Sequence, residues 1–148
     1  MPNDNTPGSE NNERLRTAPQ ERFSGNHHHF DIQSELQRLR AEDHQGQHGR
    51  RQVTLLHHGP ISQVLFYFQA GGEFPHHTAH GWVTIQVLEG QLTVEVGEHS
   101  HELAAGHLLM LDPDLPHSVR AIQESAMLLT VHIQVEGKPT PLTLGPNE

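Results

Sequence analysis

The sequence predicts an all-β sandwich or barrel preceded by one short α-helix, and three observations lead there. From Arg51 onward the chain breaks into short runs rich in Val, Ile, Leu, Thr and Phe, separated by Gly, Pro and acidic residues. Inside these runs apolar and polar residues alternate, so that Leu92, Val94 and Val96 share one face of a strand while Thr93 and Glu95 share the other. Ahead of them, Ile32, Leu36 and Leu39 recur at helical spacing behind Asp31, a residue type that caps helix N-termini.

The 148 residues make one domain of ordinary size, long enough for a single core. A hydrophobic fraction of 33% is low for a compact fold, so part of the chain is expected outside that core. Residues 1–26 have the composition of a disordered arm, with three prolines and no aliphatic side chain apart from Leu15 and Ala18. The helix is expected over 31–42, within a segment 27–50 that Gly46 and Gly49 close. The triplet His27, His28 and His29 reads as a solvated flank of that helix.

Two strands, "RQVTLLHH" and "ISQVLFYFQA", surround a turn at Gly59-Pro60. "WVTIQVLE" and "QLTVEV" flank Gly90, and "HLLML", "HSVRAI" and "AMLLTVHIQV" follow at the intervals of a sandwich or barrel. These strands place the barrel over 51–136 and leave 137–148 as a Pro- and Gly-punctuated tail. The helix has one apolar stripe, which needs the outside or the open edge of the barrel to cover it.

Charge and composition exclude several functions. A formal net charge of −9 is wrong for gripping a phosphate backbone, and the basic cluster Arg38, Arg40, Arg50 and Arg51 is too small to reverse it, so nucleic acid is not an expected partner. Nor is a membrane, because no apolar run approaches the length of a span and no secretory h-region is present; a soluble, cytoplasmic protein is expected. With no cysteine, thiolate chemistry is excluded and His, Asp and Glu remain as strong metal ligands. No phosphate loop or nucleophile elbow occurs. Fifteen histidines are the outlying feature.

Two segments set histidine among suggestive neighbours. "GGEFPHHTAHGWVTIQVLEG", residues 71–90, has histidines at 76, 77 and 80 before an apolar strand; "AGHLLMLDPDLPHSVRA", residues 105–121, leaves a strand through a Pro-rich turn and reaches His117. Together they resemble the paired signature motifs of the cupin superfamily, whose small, RmlC-like members are single jelly-roll β-barrels. The first motif runs Gly, His, His, Glu, Gly at a spacing that falls on Gly71, His77, Ala79, Val83 and Gly90. The second runs Gly, Pro, Gly, His, Asn and falls on Gly106, Asp112, Asp114, His117 and Ala121. Gly71, His77, Gly90, Gly106 and His117 match; the second His, the Glu, the Pro, the inner Gly and the Asn are replaced.

The resemblance implies a cupin-type jelly roll holding one divalent transition metal (Fe, Mn, Zn or Ni) on histidines at the barrel mouth. His77 and His117 are the ligands in frame. His80 is the best third ligand, since the loop at Gly81 can swing it into the place that Ala79 vacates. His76 alternates away from His77, Gln86 would bind only across a bulge, and Glu73 is an acid that nothing in the sequence positions. Strand alternation aims Val83, Ile85, Val87 and Val119 at the barrel interior, where with Phe66 or Phe68 they would line a pocket for a small-molecule ligand. The other histidines read as surface residues: His44, His48, His57, His58, His99, His101, a capping or solvated His107, and an outward His132.

The fold does not choose a reaction. Cupins include dioxygenases, isomerases, decarboxylases, epimerases, storage proteins and sensors, and the carboxylate of an Fe(II) facial triad is Val83 here. One reading is therefore a metal-binding cupin that oxidises or isomerises a small molecule; the other is a non-catalytic binding or sensing module without stoichiometric metal. A homodimer is expected from either, because such barrels pair through sheets or edge strands.

Overall fold

The computed structural model describes residues 24–44 and 46–133. The expected arm lies outside the described residues over 1–23, as do the end of the expected barrel at 134–136 and the tail at 137–148. Residues 24–30 are irregular and fall in a different unit from the one that begins at Asp31.

Helix α1 (Ile32–Ala41) begins where the sequence places it. The Asp31 carboxylate accepts the Ser34 amide at 3.2 Å and the Ser34 hydroxyl at 2.9 Å, capping the first turn. Arg51 closes the other end: its Nη1 donates to the carbonyls of Leu39 at 2.7 Å and Arg40 at 2.9 Å, two of the acceptors that a helix C-terminus leaves without intrahelical partners.

Nine strands follow: β1 (Arg50–His58), β2 (Ile61–Phe68), β3 (Glu73–His77), β4 (Gly81–Glu89), β5 (Gln91–Val96), β6 (His99–Ala104), β7 (Leu108–Leu111), β8 (His117–Ala121) and β9 (Ser125–Ile133). They form two antiparallel sheets, one ordered β1-β2-β9-β4-β7 and the other β3-β8-β5-β6. β3 and β6 are additions to the sequence reading. The inner faces meet in a core that includes Phe66, Phe68, Ile85, Val94, Val119 and Met127, all at most 1% exposed. This is the jelly-roll barrel that the alternation implies.

β2 is buried on both faces. Phe66 and Phe68 point into the barrel, and Leu65 and Tyr67 alternate to the outside, where α1 packs on β1 and β2. Leu36 and Leu39 supply the helix's buried stripe at 0% and 1% exposure. The Tyr67 ring lies beneath two guanidiniums, those of Arg40 and Arg51, each 5.5 Å from its centroid. Arg40 also pairs with Glu89 and, at 3.2 Å, with Glu124, which in turn accepts the Tyr67 hydroxyl at 2.8 Å. Hydrogen bonds from Tyr67 and Arg40 hold the Glu124 carboxyl below its ordinary pKa.

Gly90 separates β4 from β5 at φ +84°, and a Cβ there would lie 2.2 Å from Ser125 Oγ and 2.3 Å from the Glu124 carbonyl oxygen. Both the backbone conformation and the space require glycine.

Candidate metal centre in the barrel

The inner face of the four-stranded sheet brings His77 and His117 together. They are register partners on β3 and β8, their ring centroids 4.1 Å apart and their planes at 60°. A bulge makes this possible. Phe74 pairs with Val119 and His77 with His117, so β3 has two residues, Pro75 and His76, where β8 has only Ser118. Without the extra residue, Phe74 and His77 would point to opposite faces; with it, both rings face the same way and stack with centroids 3.9 Å apart. Pro75 fits because β3 is an edge strand and the bulge interrupts the ladder there. His76 is exposed, as its alternation with His77 implies.

Both imidazoles are held by the same contact. Nδ1 of His77 lies 3.0 Å from the Pro75 carbonyl oxygen, and Nδ1 of His117 lies 2.9 Å from that of Leu115. A carbonyl only accepts, so Nδ1 carries the hydrogen in each ring and Nε2 keeps its lone pair. Among the described residues the buried Nε2 of His117 has no hydrogen-bond partner, in a residue that is 1% exposed. Burial pushes the His77 pKa below that of ordinary histidine; the Pro75 contact opposes this, while His117, Arg50 and His76 add to it by charge repulsion. His77 is thus biased toward neutral imidazole, the form in which histidine binds metals.

An aromatic shelf backs the pair. Phe74 touches His77 on one side and Phe66, at 5.0 Å, on another, and the Arg50 guanidinium lies 4.6 Å from the Phe74 centroid. Arg50 is held over the shelf by Nη1, which donates to the Glu73 carbonyl at 3.1 Å.

The structure does not bring His80 to this pair. Its side chain is 90% exposed, and Nδ1 meets the Asp114 carboxylate at 2.8 Å. Asp114 occupies the frame position where the motif has its inner Gly, and it adopts a left-handed φ of +67°. The residue that replaces that glycine thus engages the histidine expected to replace the lost ligand. Val83, in the Glu position of the frame, is 2% exposed within the core, and Ile85, Val87 and Val119 are packed there with it. Gln86 is exposed on the other face of β4. Among the described residues no three His, Asp or Glu side chains converge on one point. A groove of about 480 Å³ lies elsewhere, on the outer face of the β3-β8-β5-β6 sheet.

Residues 64–133 match the family model described as "Cupin domain". The chain contains a cupin domain. The cupin match runs from β2 to the end of β9 and includes both histidines. Solved structures agree on the fold. A conserved protein of unknown function from Streptococcus pyogenes has a TM-score of 0.62 at 20% identity, over 76% of this chain and 96% of that one. A cupin superfamily protein from Desulfitobacterium hafniense has a TM-score of 0.60 at 15% identity, over the same 76% and 96%. An RmlC-like cupin protein from Desulfovibrio desulfuricans has a TM-score of 0.53 at 28% identity, over 56% of this chain and 81% of that one. No curated protein matches the sequence at a significant level.

Proposed function

We propose that this cupin binds one divalent transition metal through Nε2 of His77 and Nε2 of His117, with the remaining coordination positions left to solvent or a small-molecule ligand. The buried, partnerless Nε2 of His117 carries the reading. A buried nitrogen acceptor without a partner is destabilising by about 1–3 kcal/mol, and a metal ion is one of the few things that satisfies it without a second hydrogen-bond donor. The donor set fits such an ion: two imidazoles, each oriented by a backbone carbonyl at Nδ1. With no carboxylate among the donors, nickel or zinc suits it better than manganese, and iron would lack its usual facial triad.

The metal would supply Lewis acidity to a bound oxygen. The chain's own part is to aim both Nε2 atoms by holding each Nδ1 on a backbone carbonyl, and to support His77 against the Phe74 ring. An oxidation or an isomerisation of a small molecule is the reaction class proposed for this centre, with Val83, Ile85, Val87 and Val119 forming its apolar surround.

The test is metal analysis of untagged protein beside His77→Ala and His117→Ala. Roughly one bound first-row metal per chain in the wild type and its loss in both variants supports the centre; equal metal in all three proteins ends it. A second reading, a ligand-binding or sensing domain without stoichiometric metal, draws on the absence of a third donor among the described residues. It expects no metal in any of the three proteins.

We also propose a homodimer. Trp82, Leu108 and Met110 are 46%, 57% and 64% exposed on the outer face of β4 and β7. Large exposed apolar side chains grouped on one sheet face are characteristic of association surfaces. Sedimentation of the wild type as a dimer, and of Trp82→Ser/Met110→Ser as a monomer, is the expected result.

A further inference from the structure

The outer face of the four-stranded sheet carries a groove that the metal centre does not use. It encloses about 480 Å³ and is lined by Glu73, Thr93, Glu95, Ser118, Arg120 and Ile122, among others. Strand alternation turns Ser118 and Arg120 away from the inward His117 and Val119.

The register sets the charged side chains in a grid. Arg120 of β8 lies opposite Glu73 of β3 on one side and opposite Thr93 of β5 on the other, and Glu95 lies opposite Ser118. Opposite charges directly across paired strands ordinarily attract and meet. Among the described residues, however, the side chains of Arg120, Glu73 and Glu95 make no ion pair or hydrogen bond. The groove therefore presents one guanidinium between two carboxylates, all three unneutralised. Glu73 is one strand away from Arg120, about 5 Å between Cβ atoms, and Glu95 is diagonal to it, about 7–8 Å.

We propose that this groove binds a basic α-amino acid. Its carboxylate pairs with Arg120 and its α-ammonium with the adjacent Glu73. The cation at the end of its side chain pairs with Glu95. The spacing suits the ligand, since the two ligand charges on the α-carbon are close together and the third is a flexible aliphatic chain away. The charges also balance: two cations and one anion on the ligand meet two carboxylates and one guanidinium on the protein. Ile122, 52% exposed in the groove, offers an apolar surface to the methylenes.

Titration of the full chain with L-lysine, followed by amide NMR shifts, tests this against two analogues. L-norleucine lacks the side-chain ammonium and 1,5-diaminopentane lacks the carboxylate. The expected result is saturable L-lysine binding, with each analogue weaker by up to about fivefold, the worth of one solvent-exposed ion pair. Glu95→Gln should erase the advantage of L-lysine over L-norleucine, and Arg120→Gln its advantage over the diamine. His77→Ala should bind L-lysine as the wild type does, which separates this groove from the metal centre. No saturable binding of L-lysine, equal affinity for all three compounds, or wild-type preferences in both charge variants would each overturn the proposal. Should a charge variant fail to fold, the three-compound comparison on the wild type decides.

Discussion

His77 stacks on Phe74, three positions earlier in the same strand, with ring centroids 3.9 Å apart. In a regular strand an odd separation puts two side chains on opposite faces. The contact therefore depends on the bulge at Pro75 and His76, and Phe74 both packs against the core and supports the proposed metal ligand. Phe74→Ala should lower stability by about 2 kcal/mol, less than for a fully buried ring because Phe74 is only partly buried. Urea unfolding gives that value. Phe74→Leu should recover most of the stability while leaving His77 without its aromatic support, so the proposed metal should dissociate more readily in a chelator competition.

The depressed pKa of His77 gives acid sensitivity a definite sign. Burial, the leading cause, disfavours the charged ring in the folded state. Between the ordinary histidine pKa of about 6.5 and the lower folded value, the unfolded chain binds more protons than the folded one, so stability falls as pH drops through that window and this contribution levels off below it. Metal-free wild-type protein should thus lose more melting temperature between pH 7 and pH 5 than His77→Gln. Parallel curves for the two proteins would show that His77 is not the group responsible.

Asp114 combines a left-handed backbone with an exposed side-chain contact to His80. The contact is worth little in solvent, with side chains 90% and 61% exposed, while the left-handed conformation disfavours a residue with a Cβ by about 1–2 kcal/mol. Asp114→Gly removes that strain and adds chain entropy to the unfolded state, so its net effect should stay within about 0.5 kcal/mol of zero. Asp114→Ala keeps the strain and loses the Asp side chain, which tolerates this conformation better than Ala; it should destabilise by about 1 kcal/mol. Denaturant midpoints of the two variants make the comparison.

Leu36 and Leu39 attach the helix to the barrel, and both are essentially fully buried. Leu39→Ala should cost about 3 kcal/mol by thermal or urea unfolding. Arg38→Ala, on the exposed side with an i,i+3 partner in Glu35, should change stability by less than about 0.5 kcal/mol.

Strands with many apolar residues were legible in the sequence, and so was the helix. Val83, Ile85 and Val87 declare an inward face through their alternation, and Asp31 announces a cap that the structure uses. β6 was not legible because of its six residues, His99–Ala104, only Leu103 is buried, which leaves no alternation to read. β3 was missed because Pro75 and two histidines look like a turn, and only its pairing with β8 makes it a strand. The pairing of His77 with His117 could be found from the motif frame. What could not be read was the fate of His80, since it depends on Asp114, 34 positions away, reaching across a loop. Nor does any local pattern mark the carbonyls of Pro75 and Leu115 as the groups that fix the two rings.

The bulge in β3 has one more effect. β3 is an edge of its sheet, and a regular edge strand is a template on which another chain can add itself. A proline and a bulge in the middle of that edge spoil the template. The same short irregularity therefore aims His77 inward and guards the sheet against its neighbours. Straightening β3 by deleting one residue between Phe74 and His77 would turn His77 out to solvent and, in the same step, give the barrel a strand that invites aggregation.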